Sequence, residues 1–465
     1  LTQHDDFFHN FSSSNKLYSF IIMHQSAQIP LDNTIIHEKL QECGIESIGK
    51  ATIRQIVGLV NAIEKETRLR YIRMEMGVPG LEPPDIAIEG EIEALRSGYA
   101  SQYPMIEGLE SLKYEISKFT KNFINLSVSP EGCLPTVGAM QGSFAAFMIA
   151  SKRDIHKDTT LFIDPGFPVQ KQQHAVLGLD YVSFDVYNHR GDKLKDKLES
   201  YLQAGNISTM IYSNPNNPSW ICFTEKELKT IGELATLYDV IVVEDLAYFG
   251  MDFRQDISIP GQPPYQASVG NYTENYMLII STSKSFSLAG ERIGFLVISD
   301  YLYKKKFPAL KRHFSSQQLG YAMIHGGLYT LSAGANHTAQ YGLTKVLQAI
   351  NEGRYDFIKP LREYAQRAKI MKSLFQKYGF QLVYDRDEDQ PISDGFYFTI
   401  SYPGFSGEKL LEELIYYGIS TITLDITGSE RTEGLRACVS YVNNDQLEDL
   451  DYRLKTFHKD HLYCV

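Results

Sequence analysis

The sequence predicts an α/β protein: a large domain on a mainly parallel sheet with helices on both faces, followed by a small α+β domain. Three observations carry this. From about residue 133, apolar runs of strand length at 160–163, 209–212, 240–243, 277–280 and 295–298 alternate with helical stretches at 141–152, 194–204 and 225–238. Polar and turn-forming residues follow these runs, where ligands bind in open parallel sheets. Beyond about residue 340 come a long helical stretch (344–378), a strand-rich segment (379–401), a helix (407–417) and strand candidates at 419–426 and 434–441.

Composition narrows the function. The 465 residues are 43% hydrophobic and 22% charged, with a net charge of -11, which argues against a broad nucleic-acid footprint. The five cysteines (Cys43, Cys133, Cys222, Cys438, Cys464) are scattered, odd in number and without metal-ligand spacing. They read as reduced thiols, so the expected location is cytoplasmic and no metal site is expected. No apolar run approaches the roughly 20 residues of a membrane span. The apolar run 17–23 is short and preceded by Asp5 and Asp6, unlike a signal peptide.

In chain order, residues 1–30 lack a period and read as a tail or arm. Asp32 to Thr34 offers a helix start. Ile53, Ile56, Val57, Val60 and Ile63 share one helical face, which predicts a structural amphipathic helix packed on the main body. It has no basic face, so a DNA-binding leader is disfavoured. Segment 74–85, with Gly77 and three prolines, is a stiff turning stretch. Tyr103, ahead of a helix predicted over 108–123, reads by itself as a packing or surface residue.

The strand ends are the informative positions. Gly138, Ala139 and Met140 form a glycine turn entering a helix, a natural seat for an anion. Asp164-Pro-Gly-Phe167-Pro is a sharp turn presenting an aromatic ring. In Asn214-Pro-Asn216-Asn217-Pro218, prolines keep the asparagines out of ladder and helix, leaving their amides for other partners. The run 240–243 ends in Glu244-Asp245, with Tyr248 three residues on. A carboxylate at the end of a buried strand is costly unless a cation meets it. The basic stretch 304–313 reads as a solvated face or helix end. Arg436, inside an apolar strand, needs an anion.

One lysine organises these positions. Run 277–280 delivers Ser281-Thr-Ser-Lys284, and Arg292 follows eight residues later in a Gly-x-Arg-x-Gly setting. A lysine at the mouth of a sheet, flanked by hydroxyls and backed by an arginine, suits a phosphate-bearing aldehyde.

The ordered set Tyr-x4-Gly, Gly-Ala, Pro-Gly-Phe-Pro, Asn-Pro-x-Asn-Pro, Asp-x-x-Tyr, Ser-x-Ser-Lys, Gly-x-Arg-x-Gly and a late Leu-Arg resembles the fold-type I pyridoxal-phosphate enzymes, specifically the class I/II aminotransferases. It spans roughly residues 70–445. The resemblance implies an aspartate aminotransferase-like architecture with a seven-stranded type of sheet. The implied divisions are an N-terminal extension and helix (1–65), an arm at the site rim (66–102), a large cofactor domain (103–340) and a small domain (341–465).

It also implies pyridoxal 5'-phosphate as cofactor, and transamination between an amino acid and a 2-oxo acid through a Lys284 Schiff base. Lys284, Asp245 and Tyr248 would be catalytic, with Asp245 facing the ring nitrogen. Phe167 would stack on the ring, and Asn217 and Tyr248 would bond its phenolic oxygen. Ser281, Arg292, Gly138, Ala139 and Met140 would hold the phosphate, joined by Tyr103 from the partner subunit of a homodimer. Arg436, Gly77 and Asn217 would meet the substrate. A lyase, decarboxylase or cyclising enzyme on the same scaffold is the alternative, and a cofactor-sensing regulator is a further one. Two segments depart from the family pattern: Ser219-Trp220 after Pro218, and the polar stretch 424–433 before Arg436.

Overall fold

The computed structural model describes residues 29–462. The tail 1–28, with the apolar run 17–23, and Cys464 lie outside the described residues. Seven strands form the main sheet: β1 (Cys133–Thr136), β2 (Thr159–Asp164), β3 (Tyr181–Asp185), β4 (Ile207–Ser213), β5 (Ile241–Leu246), β6 (Tyr276–Ser281) and β7 (Gly294–Ile298). Their order is β1-β7-β6-β5-β4-β2-β3. All neighbouring pairs from β3 to β6 are parallel, and β7 runs antiparallel to β6 and β1. Strands β4, β5 and β6 are buried along their whole length, as continuous apolar runs require when helices cover both faces.

The reversal of β7 has a direct consequence. Its N-terminal end lies beside the C-terminal end of β6, with Gly294 paired to Ser281. Residues that precede β7 therefore share one sheet edge with residues that follow β1, β2, β4, β5 and β6.

The N-terminal helices form as the sequence predicts. Asp32 caps the helix Asn33–Glu42, accepting from Thr34 N–H at 2.7 Å. Thr52 and Gln55 make a capping box on the helix Ile53–Thr67, which buries Ile56, Leu59, Val60 and Ile63. The basic stretch 304–313 is a set of short helix ends and turns, in which Lys305 reaches Asp239 at 2.9 Å.

C-terminal to the main sheet, an antiparallel four-stranded sheet is built from Gln381–Leu382, Tyr397–Ser401, Leu435–Cys438 and Ile422–Thr423. Two expectations need correction here. The helical stretch 344–378 is two helices, His337–Asn351 and Ile358–Lys377. Gly353 breaks it, taking a left-handed φ of 71°. The strand candidate 419–426 is three pieces: Ile419–Ser420 pairs in parallel with Ile72–Arg73, Ile422–Thr423 pairs with Leu435–Arg436, and Asp425–Thr427 is a 3-10 turn.

That turn explains the polar stretch 424–433, which docks the chain onto the loops of the main sheet. Gly166 N–H donates to Thr427 O at 2.8 Å, and Glu430 N–H donates to Asp185 Oδ2 at 3.0 Å. Nearby, the Tyr384 hydroxyl donates to Asp185 Oδ2 at 2.7 Å, and Asp387 meets Arg190 at 2.7 Å and Arg254 at 2.8 Å. This seam holds the C-terminal sheet over the edge where the strand-end residues gather.

Candidate active site

At that edge a cavity of about 280 Å³ is lined by Lys284, Asp245, Tyr248, Asn217, Phe167 and Arg292, among others. Ala139, Met140, Ser281, Gly77 and Arg436 also stand on its walls, whereas Gly138 and Tyr103 of the sequence-predicted set do not.

Lys284 stands in a single helical turn, Thr282–Ser285, that starts where β6 ends. Ser281 caps this turn, its hydroxyl accepting from Ser283 N–H at 3.2 Å. Lys284 is half-buried, and among the described residues no hydrogen bond or ion pair engages its Nζ. Burial lowers its pKa, against the opposing pull of Asp245. A lysine so placed keeps more of the neutral amine that attacks a carbonyl carbon.

Asp245, on β5, is the electrostatic opposite. Gln170 Nε2 donates to its Oδ2 at 2.8 Å and Ala247 N–H to its Oδ1 at 3.1 Å. No cation forms an ion pair with it among the described residues. Burial accordingly raises its pKa to about 6. An anion held at this depth by two neutral donors is set to receive a positively charged group from outside the chain.

Phe167 caps the helix Pro168–Leu177. Gln170 is one turn further along that helix, which places it against Asp245. The asparagine turn divides its labour. Asn216 is consumed within the fold, donating to Pro165 O at 2.7 Å and accepting from Ser219, and Asn214 accepts from Phe223 N–H at 3.2 Å. Only Asn217 of the three faces the cavity.

Arg292 and Gly138 make the anion seat. Gly138 opens the helix Gly138–Ala150 at φ 66°, and a Cβ there would lie 2.7 Å from an Arg292 terminal nitrogen, so only glycine lets the guanidinium approach. Gly138 itself backs the arginine, while Ala139 and Met140 line the cavity beside Ser281. Helix N–H groups, hydroxyls and a guanidinium are donors suited to phosphate.

Arg436 is buried opposite the lysine. It donates to Asn217 Oδ1 at 3.3 Å and to Glu75 O, and its guanidinium lies 4.5 Å from the centre of the Tyr397 ring. Its Nε has no hydrogen-bond partner among the described residues. A buried arginine with an unsatisfied donor suits a carboxylate ligand.

Tyr103 does not join this group in its own chain. It is 92% exposed and borders a separate apolar depression with Met105, His325 and Tyr329. Conversely, Gln170, Tyr397, Ile53, Ser213 and Ser283 line the cavity although none was among the expected site residues. Gln170 had a partial signal, its spacing of one helical turn from Phe167. Ile53 shows that the first residue of the amphipathic helix reaches the site while the rest of its apolar face packs.

An α/β sheet edge that joins a free buried amine, an uncompensated carboxylate, a phosphate-type seat and a spare arginine defines an enzyme of amine and carbonyl chemistry. The sequence profile of aminotransferase class I and II matches residues 71–450, and the chain belongs to that family. It is accordingly a transaminase.

The putative aminotransferase YugH of Bacillus subtilis is 24% identical over 419 residues, covering 89% of this chain and 97% of that protein. The LL-diaminopimelate aminotransferase of Natranaerobius thermophilus is 24% identical over 322 residues, covering 68% of this chain and 74% of that one. In fold, the chain is similar to the aspartate aminotransferase of Thermotoga maritima, with a TM-score of 0.71 at 18% identity over 90% of this chain and 99% of that one.

Proposed function

We propose that this transaminase works with pyridoxal 5'-phosphate in the Lys284 cavity and moves an amino group between an α-amino acid and a 2-oxo acid. The observation that carries the reading is Asp245, a carboxylate at the end of a buried strand that meets only neutral donors. The residues fit the cofactor: Asp245 for a protonated ring nitrogen, Phe167 for the ring face, and Ser281, Arg292 and the Ala139–Met140 backbone for the phosphate. Bound there, the cofactor supplies an aldehyde carbon that captures an amine and a ring that takes up electrons as a bond at the substrate Cα breaks.

The chain does the rest. Asp245 keeps a proton on the ring nitrogen, and Gln170 keeps Asp245 aimed. The Tyr248 hydroxyl and the Asn217 amide bond the phenolic oxygen. Arg436 clamps the substrate α-carboxylate, with the Gly77 segment closing that end. Lys284 Nζ, released when the substrate amine takes its place, would carry the proton from the substrate Cα across the bridging nitrogen to the carbon that brought the aldehyde. Tyr103, exposed beside an apolar depression, suits a homodimer in which it reaches the phosphate of the partner's site. Residues 103–340 then act as the cofactor domain and 341–465 as the small domain, with 66–102 at the rim and 1–65 as an extension. No described helix is long and apolar enough to cross a membrane. The four described cysteines are free thiols, which favours a cytoplasmic setting.

The test is a half-reaction. Protein loaded with the cofactor and given an amino acid without an acceptor is expected to convert stoichiometrically to bound pyridoxamine phosphate, read by absorbance. Release of ammonia or carbon dioxide with the visible band regenerated would assign a lyase or decarboxylase instead.

Asp245 also sets a pH dependence. Its folded pKa of about 6 lies above its ordinary value of 3.8, so the native state binds the extra proton. Stability from this group is therefore full below about pH 4 and is lost as pH rises through 6, by roughly 3 kcal/mol. Asp245→Asn is expected to raise the melting temperature of cofactor-free protein at pH 7.5 and to leave it little changed at pH 4. A calorimetric scan at the two pH values checks this.

A further inference from the structure

Tyr397 joins three parts of the site, and none of the roles above uses it. It lies on Tyr397–Ser401 of the C-terminal sheet, in register with Cys438 and on the same face as Arg436. Its hydroxyl accepts from the Tyr248 hydroxyl at 2.8 Å. Its ring carries the Arg436 guanidinium at 4.5 Å. A Cβ on Gly77 would come within 1.9 Å of its hydroxyl oxygen, so the bare backbone of the rim segment presses on the same atom.

Trp220 holds both rings from behind. It is buried, and its indole meets Tyr248 edge-on at 5.5 Å and Tyr397 at 6.2 Å.

We propose that Tyr397 is a positioning residue that acts through Tyr248: when Tyr248 turns its hydrogen toward the cofactor's phenolic oxygen, the Tyr397 hydroxyl donates to the Tyr248 oxygen, making a two-tyrosine donor chain. The proposal rests on the cofactor reading above. In the present geometry Tyr248 is the donor and Tyr397 the acceptor. An acceptor on the cavity side draws the Tyr248 hydrogen away and frees the Tyr248 oxygen to accept. Tyr397 is then the donor in place, and hydrogen bonds in such a chain strengthen one another. Both hydroxyls keep their hydrogens at neutral pH. Burial raises the Tyr248 pKa, reinforced by Tyr397, and burial pushes Tyr397 up to about 12 against the pull of Arg436. Arg436 and Cys438 of the neighbouring strand are the titratable groups that face the pair.

The chain has a predictable effect. A strong donor at the phenolic oxygen withdraws the negative charge that would hold a proton beside it. Weakening the donor lets that proton be held to higher pH. The pH midpoint of the holoenzyme's visible absorption band therefore measures the donor directly, without turnover.

The test is a spectrophotometric pH titration of holoenzyme in four forms: wild type, Tyr397→Phe, Tyr248→Phe and the double variant. Tyr397→Phe keeps the ring under Arg436 and against Trp220. It is expected to raise the midpoint by roughly 0.4 to 1 pH unit, the size of one hydrogen bond. Tyr248→Phe is expected to raise it further, and the double variant to match Tyr248→Phe. An unmoved midpoint in Tyr397→Phe, or an equal shift whether or not Tyr248 is present, overturns the donor chain while leaving the cofactor reading intact. A wild type that takes up no cofactor and shows no band overturns the reading, and the proposal with it.

Discussion

Replacement of Lys284 by alanine is expected to abolish the yellow colour that survives gel filtration of the wild-type holoenzyme and to reduce turnover by at least roughly ten-thousand-fold. Among the described residues lining the cavity, Lys284 carries the one amine, while the other cations, Arg292 and Arg436, carry guanidinium groups that do not lose a proton in proteins. Lys284→Arg separates two explanations. It keeps a positive charge near Asp245 but neither forms the bond to an aldehyde nor relays a proton, so the same loss is expected. Recovery of more than about a tenth of wild-type turnover in that variant would reduce the lysine to an electrostatic role.

Asp245→Asn is expected to lower kcat roughly 10- to 1,000-fold and to leave KM for the amino acid little changed. A facing carboxylate shifts a partner's pKa by about one to three units, and each unit is a factor of ten in holding the proton. The amide keeps the shape and can still accept from Gln170, so the cavity persists while the charge goes. KM is expected to be insensitive because the carboxylate clamp proposed above is Arg436, not Asp245. The same substitution stabilises cofactor-free protein above pH 6, so function and stability are expected to move in opposite directions. Steady-state kinetics with saturating cofactor, alongside the thermal scans at two pH values, tests both halves. A kcat within a factor of three of wild type would remove Asp245 from the chemistry.

Much of this was legible in the sequence because the site is written at strand ends. The central strands carry apolar runs, and the polar residues that follow them, Asp245 or Ser281, mark the sheet edge. Arg292 fits the same logic only because β7 runs backwards, a direction that no local pattern reveals. Gln170 was hidden because its role depends on how the helix Pro168–Leu177 lies over β5. Tyr397 sits within Gly395-Phe396-Tyr397-Phe398, a run that a core strand and a site wall would write alike. Ile53 comes from a helix that the chain brings back over more than a hundred residues. The two errors of extent, 344–378 and 419–426, arose where a glycine turn or a change of strand partner broke a pattern that composition left continuous. In each case a tertiary contact decided what local propensity could not.

Trp220 is the only tryptophan among 465 residues, in a chain that also has 30 tyrosines. Its indole is fully buried, its N–H has no hydrogen-bond partner among the described residues, and its backbone is left-handed, at φ 65°. Light absorbed at the long-wavelength edge of the protein band therefore excites one side chain in one environment. Its fluorescence arises from an apolar enclosure and is correspondingly blue, and tyrosine emission is drained toward it. Because the ring touches Tyr248, a ligand that reorients that tyrosine changes the emission. Loading of the cavity can thus be followed by the protein's own light, with no label attached.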